Sequence, residues 1–185
     1  TLGLRPGVAH AVSRLDLPVS GLVLLTTSAR GHKHFAQLDK AVDYQRTYLA
    51  LAWGAGEAPA RVETPVDGRA AESLLLAIAE AGAGGGSARL LALRPITGRT
   101  HQLRIHCADA STLAAATGEV CALPRPLLHA ARRRVRTPTG ERRVFASAPH
   151  ADLLAAWAWL DGHAKAWKSA AEACDALSWP PSSGS

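Results

Sequence analysis

The order of apolar and polar positions along the chain outlines most of its elements. Gly21–Thr27 is a short apolar run that predicts a strand, and Ser28 after it is placed to cap a helix running to about Lys40. From Tyr44 to Trp53 the pattern alternates, with Tyr44, Arg46 and Tyr48 on one face and Thr47, Leu49, Leu51 and Trp53 on the other. That predicts a half-buried strand. Ser73–Ala79 and Ala88–Ile96 predict a hairpin around a flexible glycine-rich tip, Gly82–Ser87, which lacks phosphate-loop spacing. Thr100 is read as the cap of a short helix from His101 to about Ala110. Strands follow near Leu127–Val135 and Arg142–Ala146, joined by a Thr137-Pro-Thr-Gly140 turn. Two Ala/Trp-rich helices, about Ala151–Leu160 and His163–Leu177, close the pattern. Hairpins dominate and no internal repeat is visible, so the fold class is α+β with a mixed, largely antiparallel sheet and flanking helices.

Composition narrows this picture. A chain of 185 residues, 48% of them hydrophobic, fits one domain, read here as 1–178, with a disordered Pro/Ser tail at 179–185. No apolar stretch approaches the ~20 residues of a spanning helix, so no membrane partner is expected. A chain opening on Thr1 rather than Met reads as a segment of a longer protein. Three cysteines, Cys107, Cys121 and Cys174, contain no C-x-x-C pair, which favours a reduced, intracellular setting over a disulfide framework. The formal charge is +6 and it is local: seven arginines and one acid lie between Arg125 and Arg143, and the rest of the chain is neutral. A concentrated patch of this kind suits a polyanion, nucleic acid above all.

Two segments bring chemistry to that background. Arg14-Leu-Asp16-Leu-Pro-Val-Ser20-Gly21 precedes a strand and can hold Asp16 in a turn at a sheet edge. Thr97-Gly-Arg-Thr-His-Gln-Leu-Arg-Ile-His106 packs two arginines, two histidines and a glutamine at a strand-to-helix junction, where a helix N-terminus favours anions. Together they resemble the RluA type of RNA pseudouridine synthase. Other pieces similar to that family occur in order: Arg5-Pro-Gly-Val8, Arg46-Thr-Tyr-Leu-Ala50, Leu128-His-Ala130, and Ala148-Pro149 before a final helix. The likeness covers about residues 5–160.

The resemblance implies a pseudouridine synthase-like fold with a central catalytic cleft and the isomerisation of uridine to pseudouridine in structured RNA, of ribosomal or transfer type. That reaction conserves its atoms and calls for no cofactor and no metal. It further implies that Asp16 is the nucleophile, Arg104 the cation that pairs with it, and Tyr48 the aromatic face against the target base. Leu128 forms the wall opposite, and Arg14 fills the space left by an extruded uridine. Arg99, His101 and Gln102 join the substrate-binding set, as do Arg132, Arg133, Arg134 and Arg136, whose charge suits phosphates. RNA is the one partner implied, and the chain is read as a monomer.

The chain also departs from the family pattern. Ser13 stands where the family has His, Arg46 where Lys is usual, and the Gly-Asp-x-x-Tyr-Gly loop expected after His106 is reduced to Gly118-Glu119. The family's sheet normally begins with strands upstream of Arg5. These departures keep open an alternative, a catalytically weak or inactive RNA-binding module with the same fold. A zinc site drawn from His101, His106, Cys107, Cys121 and His129 matches no closed zinc spacing.

Overall fold

The computed structural model describes residues 9–38, 43–53, 60–83, 86–109 and 126–159. Its elements run β1 (His10–Ala11), β2 (Ser20–Gly21), β3 (Leu25–Thr26), α1 (Ala29–Gln37), β4 (Tyr44–Trp53), β5 (Arg61–Val62), β6 (Ser73–Ala83), β7 (Gly86–Pro95), α2 (Gln102–Asp109), β8 (Leu128–Arg136), β9 (Arg142–Ala146) and α3 (Ala151–Trp159). The main sheet has the order β2-β8-β4-β7-β6-β5, with β9 also paired to β8, and β1 and β3 form a separate two-stranded ribbon. Only β2 and β8 run parallel; the other pairings are antiparallel. The α+β class therefore stands. The helix expected at His163–Leu177, the tail at 179–185, Arg125 and the Arg5–Val8 and Gly118-Glu119 motifs lie outside the described residues.

β4 keeps its expected limits, but it is buried on both faces rather than one. Leu49 and Leu51 pack with Leu90, Ala92, Leu153 and Trp157, so α3 covers that side of the sheet. Tyr48, Ala50 and Ala52 pack on the other side with Leu91, Leu93, Leu103 and Leu128, under α2. A central strand covered by helices on both sides has no solvent face, so the polar positions of its pattern must find partners inside. Between Thr47 and Leu49 the register shifts, because two steps along β4 face three along β8. This bulge puts Arg133 on the same face as Arg46, and Arg132 and Arg134 on the opposite one.

The strand expected over Gly21–Thr27 is instead split in two. Ser20 and Gly21 lie beside His129 and Ala130 of β8, then the chain turns away and Leu25–Thr26 pairs with β1. Gly21 causes the break: its φ of +111° leaves the strand region, and a Cβ there would collide with the Ala130 backbone. The Ser20 hydroxyl shares a 2.9 Å hydrogen bond with Nδ1 of His129, and the Leu22 amide donates to the Ala130 carbonyl at 2.9 Å. The Ser-Gly and Leu-His-Ala motifs are thus two halves of one strand contact. α1 starts as expected, with the Ser28 hydroxyl accepting from the Gly31 amide at 3.1 Å.

This geometry predicts that two glycines with left-handed φ respond unequally to alanine. Gly140 (φ +87°) has open space around it, so Gly140→Ala adds backbone strain alone. Gly21→Ala adds strain and collision, and in urea denaturation it should cost more than Gly140→Ala, beyond the ~1–3 kcal/mol of strain alone.

Candidate active site

Three segments and Leu128 of β8 surround one cleft of about 570 Å³: the segments are the loop from Val12 to Val19, the first half of β4, and the corner from Pro95 to Arg104 that joins β7 to α2. The Asp16 loop is closed by a turn in which the Val19 amide donates to the Asp16 carbonyl at 2.9 Å. Leu15 and Val19 pack against the apolar cluster beneath, which anchors the loop on both sides of Asp16.

The β7–α2 corner is fixed by Gln102, which is only 3% exposed. Its Oε1 accepts from the Thr97 hydroxyl at 2.7 Å and the Arg99 amide at 3.0 Å, and its Nε2 donates to the Glu72 carbonyl at 2.8 Å and the Ser73 hydroxyl at 2.9 Å. All four hydrogen-bonding capacities of the amide are used. The reach back to the Arg99 amide spans the turn that precedes α2. Gln102 was expected to bind substrate; its amide has none of its bonding left to offer, and it supports the corner instead. Arg46 braces the same corner from β4, donating from Nη2 to the carbonyls of Pro95 (3.2 Å) and Thr97 (2.9 Å). Burial pulls the Arg46 pKa below its ordinary value, with nearby Arg133 acting in the same direction while Tyr48 and Tyr44 oppose it.

Thr100 does not open α2 as expected: the helix begins at Gln102, and His101 before it sits at φ +55°, in the left-handed region. A non-glycine residue there is strained by ~1–2 kcal/mol. That conformation carries the imidazole to Asp16, with Nδ1 2.6 Å from Oδ2. Arg104 Nη1 lies 4.0 Å from the same oxygen and 3.4 Å from His101 Nδ1. A guanidinium only donates, so Nδ1 cannot donate to Asp16 and accept from Arg104 together. With Asp16 a carboxylate, Nδ1 carries the proton, and His101 is the closer partner of the aspartate while Arg104 stands at the limit of an ion pair.

The cleft's other predicted residues divide clearly. Tyr48, Leu128, Arg14 and Arg99 all line it, and Arg99 Nε donates to the Ala70 carbonyl at 3.0 Å. Arg133 does not reach solvent; it is 1% exposed. Its Nη2 donates to the Tyr48 hydroxyl and the Leu22 carbonyl, each at 3.2 Å, and its guanidinium carbon lies 5.0 Å from the centre of the Tyr48 ring. The phosphate contact expected of Arg133 is thereby corrected, since the bulge in β8 turns it inward. Arg132, Arg134 and Arg136 point to the sheet face opposite the cleft, near Arg94, whose pKa is lowered by burial and then by Arg134. Sequence reasoning missed the supporting roles of Arg46 and Arg133, because a pattern assigns charged side chains to solvent. Of the zinc candidates, His106 Nε2 is bonded to the Thr64 carbonyl at 2.9 Å, and burial pushes the Cys107 thiol up to about 12. Cys121 lies outside the described residues, among which no three His, Cys, Asp or Glu side chains converge. No described helix is long and apolar enough to cross a membrane.

A two-sided sheet with one cleft, an aspartate on its rim and a donor-rich corner facing it define the class to which comparison then gives a name. Residues 2–109 match the family described as RNA pseudouridylate synthase, and the chain belongs to that family. It is 32% identical over 123 residues to "RNA pseudouridine synthase 2, chloroplastic" of Arabidopsis thaliana, covering 56% of this chain and 28% of that protein. It is 29% identical over 114 residues to "Ribosomal large subunit pseudouridine synthase D" of Xanthomonas campestris pv. campestris, covering 56% of this chain and 34% of that one. The chain thus spans about a third or less of the length of these curated relatives. Among solved structures, "Human RNA Pseudouridylate Synthase Domain Containing 4" shares the fold with a TM-score of 0.67 at 15% identity, over 83% of this chain and 76% of that one. The domain-containing 1 protein does so at 0.58 and 22% identity, over 75% and 68%.

If Gln102 fixes the corner, Gln102→Ala leaves the Ser73 and Thr97 hydroxyls without their buried partner and should cost about 2–3 kcal/mol in urea denaturation. A change below the error of the measurement would remove Gln102 from that role.

Proposed function

We propose that this chain isomerises uridine to pseudouridine in structured RNA, of ribosomal or transfer type, with Asp16 as the nucleophile. The reaction breaks the bond from uracil N1 to ribose C1′, turns the base and joins C5 to C1′; the C5 proton is lost and N1 gains one. Atoms and electrons balance within the nucleotide, so no redox partner takes part. The observation that supports this reading best is the convergence of Asp16, Arg104 and Tyr48, from three separate segments, on one cleft.

The roles follow from position. Asp16, 28% exposed at its side chain, is open enough to meet a sugar yet becomes shielded once a nucleotide fills the cleft. Tyr48 offers a ring face on which a flipped base stacks, an interaction worth ~1–3 kcal/mol that tolerates rotation of the base. Leu128 provides the apolar wall, and Arg14 on the same rim as Asp16 fills the gap left in the RNA. Arg99 meets the phosphates that flank the base. Arg132, Arg134 and Arg136 hold RNA that extends beyond the cleft, on the far face of the sheet, without reading its sequence.

Incubation with a uridine-containing stem-loop should yield carbodiimide-reactive pseudouridine, and Asp16→Asn should abolish it while leaving RNA affinity within a few fold. Binding without product by the unaltered chain would favour the inactive RNA-binding module. For the arginines, Arg132→Ala with Arg134→Ala should make the fall of log affinity with log salt shallower by about 1 for each phosphate contact removed. An unchanged slope would relegate them to solvated surface.

A further inference from the structure

We infer that His101 is the positioning residue of the Asp16 carboxylate: its imidazole holds Oδ2 and leaves Oδ1 as the oxygen presented to the ribose. The inference rests on the reading of Asp16 as nucleophile and moves His101 from the substrate-binding set to a partner of the reacting group.

Three observations carry it. The Nδ1–Oδ2 separation of 2.6 Å is the shortest contact Asp16 makes, against 4.0 Å for Arg104, and Oδ1 has no partner among the described residues. A carboxylate bound through one oxygen is fixed in rotation, and the other oxygen then has a defined direction, which is how positioning lowers a barrier. Next, His101 adopts φ +55°, a conformation that costs energy and survives where its surroundings over-determine it. Those surroundings are in view: Gln102 and Arg46 together hold the corner on which His101 stands. Finally, Arg104 Nη1, 3.4 Å from Nδ1, can only donate, so it does not compete with Asp16 as acceptor of the Nδ1 proton. The imidazole therefore sits directly against Asp16, with Arg104 4.0 Å from the same oxygen at the limit of an ion pair.

The test compares His101→Ala, His101→Gly and His101→Asn on a uridine stem-loop RNA, with Asp16→Asn alongside. Glycine relieves the left-handed strain, so its fold is secure; asparagine tolerates that conformation and its amide can donate to Oδ2. Alanine and glycine should each lower kcat about 10²-fold with KM within about threefold, because a misdirected carboxylate harms the reaction rather than binding. Asparagine should recover kcat to within about tenfold of the unaltered chain. Unchanged kcat in the glycine variant, a change confined to KM, or asparagine as poor as alanine would each overturn the inference. If Asp16→Asn keeps its activity, it is the nucleophile reading that fails. The 15N spectrum of the His101 ring decides the geometry independently of turnover: Nδ1 should carry a proton that Asp16→Ala displaces, and an unprotonated Nδ1 in the intact chain would contradict the proposal.

Discussion

The amide of Gln102 is the constraint on which the site depends. One side chain ties the β7–α2 corner to its own loop through Thr97 and Arg99 and to β6 through Glu72 and Ser73. Four satisfied hydrogen bonds in a buried place give the corner a single conformation, because any other leaves polar groups unpaired away from water. With the corner fixed, the left-handed His101 sets its ring beside Asp16.

Asp16 itself is fixed through its own loop. The loop that carries it leaves through β2, which can lie against β8 only because Gly21 has no Cβ to meet Ala130. The chemistry of the cleft is therefore a consequence of two backbone demands, a missing Cβ at Gly21 and a positive φ at His101. Beneath them, Arg46 and Arg133 sit inside the fold, bound to carbonyls and to the Tyr48 hydroxyl, and neither forms an ion pair with an acid among the described residues. Two guanidiniums are costly to bury; here their donors fix backbone corners and an aromatic ring, a use for which Arg's planar fork is better suited than the point charge of Lys.

Much of the fold is legible in the residue pattern, and the reason is local. β4 and β9 keep their expected limits and α1 its cap, since alternation and a capping serine act within a few positions. The split of Gly21–Thr27 into β2 and β3, the two short strands β1 and β5, and the burial of both faces of β4 depend on partners distant in the chain, which no local period records. The site divides in the same way. Asp16, Arg104, Tyr48 and Leu128 gather in one cleft as their motifs imply. Gln102 and Arg133 turn inward because one belongs to a buried corner and the other follows a bulge, neither of which spacing reveals. His101 is found beside Asp16 only when the sign of its φ is known.

Whether Asp16, Tyr48 and Leu128 receive a base in their common cleft is decided by a structure of the chain bound to a uridine stem-loop. The expected arrangement is a uridine flipped out of the RNA, its base between Tyr48 and Leu128, with C1′ about 3–3.5 Å from the free oxygen of Asp16 and the other oxygen still on His101. A uridine left stacked in the RNA, or a base lodged away from Asp16, would contradict it.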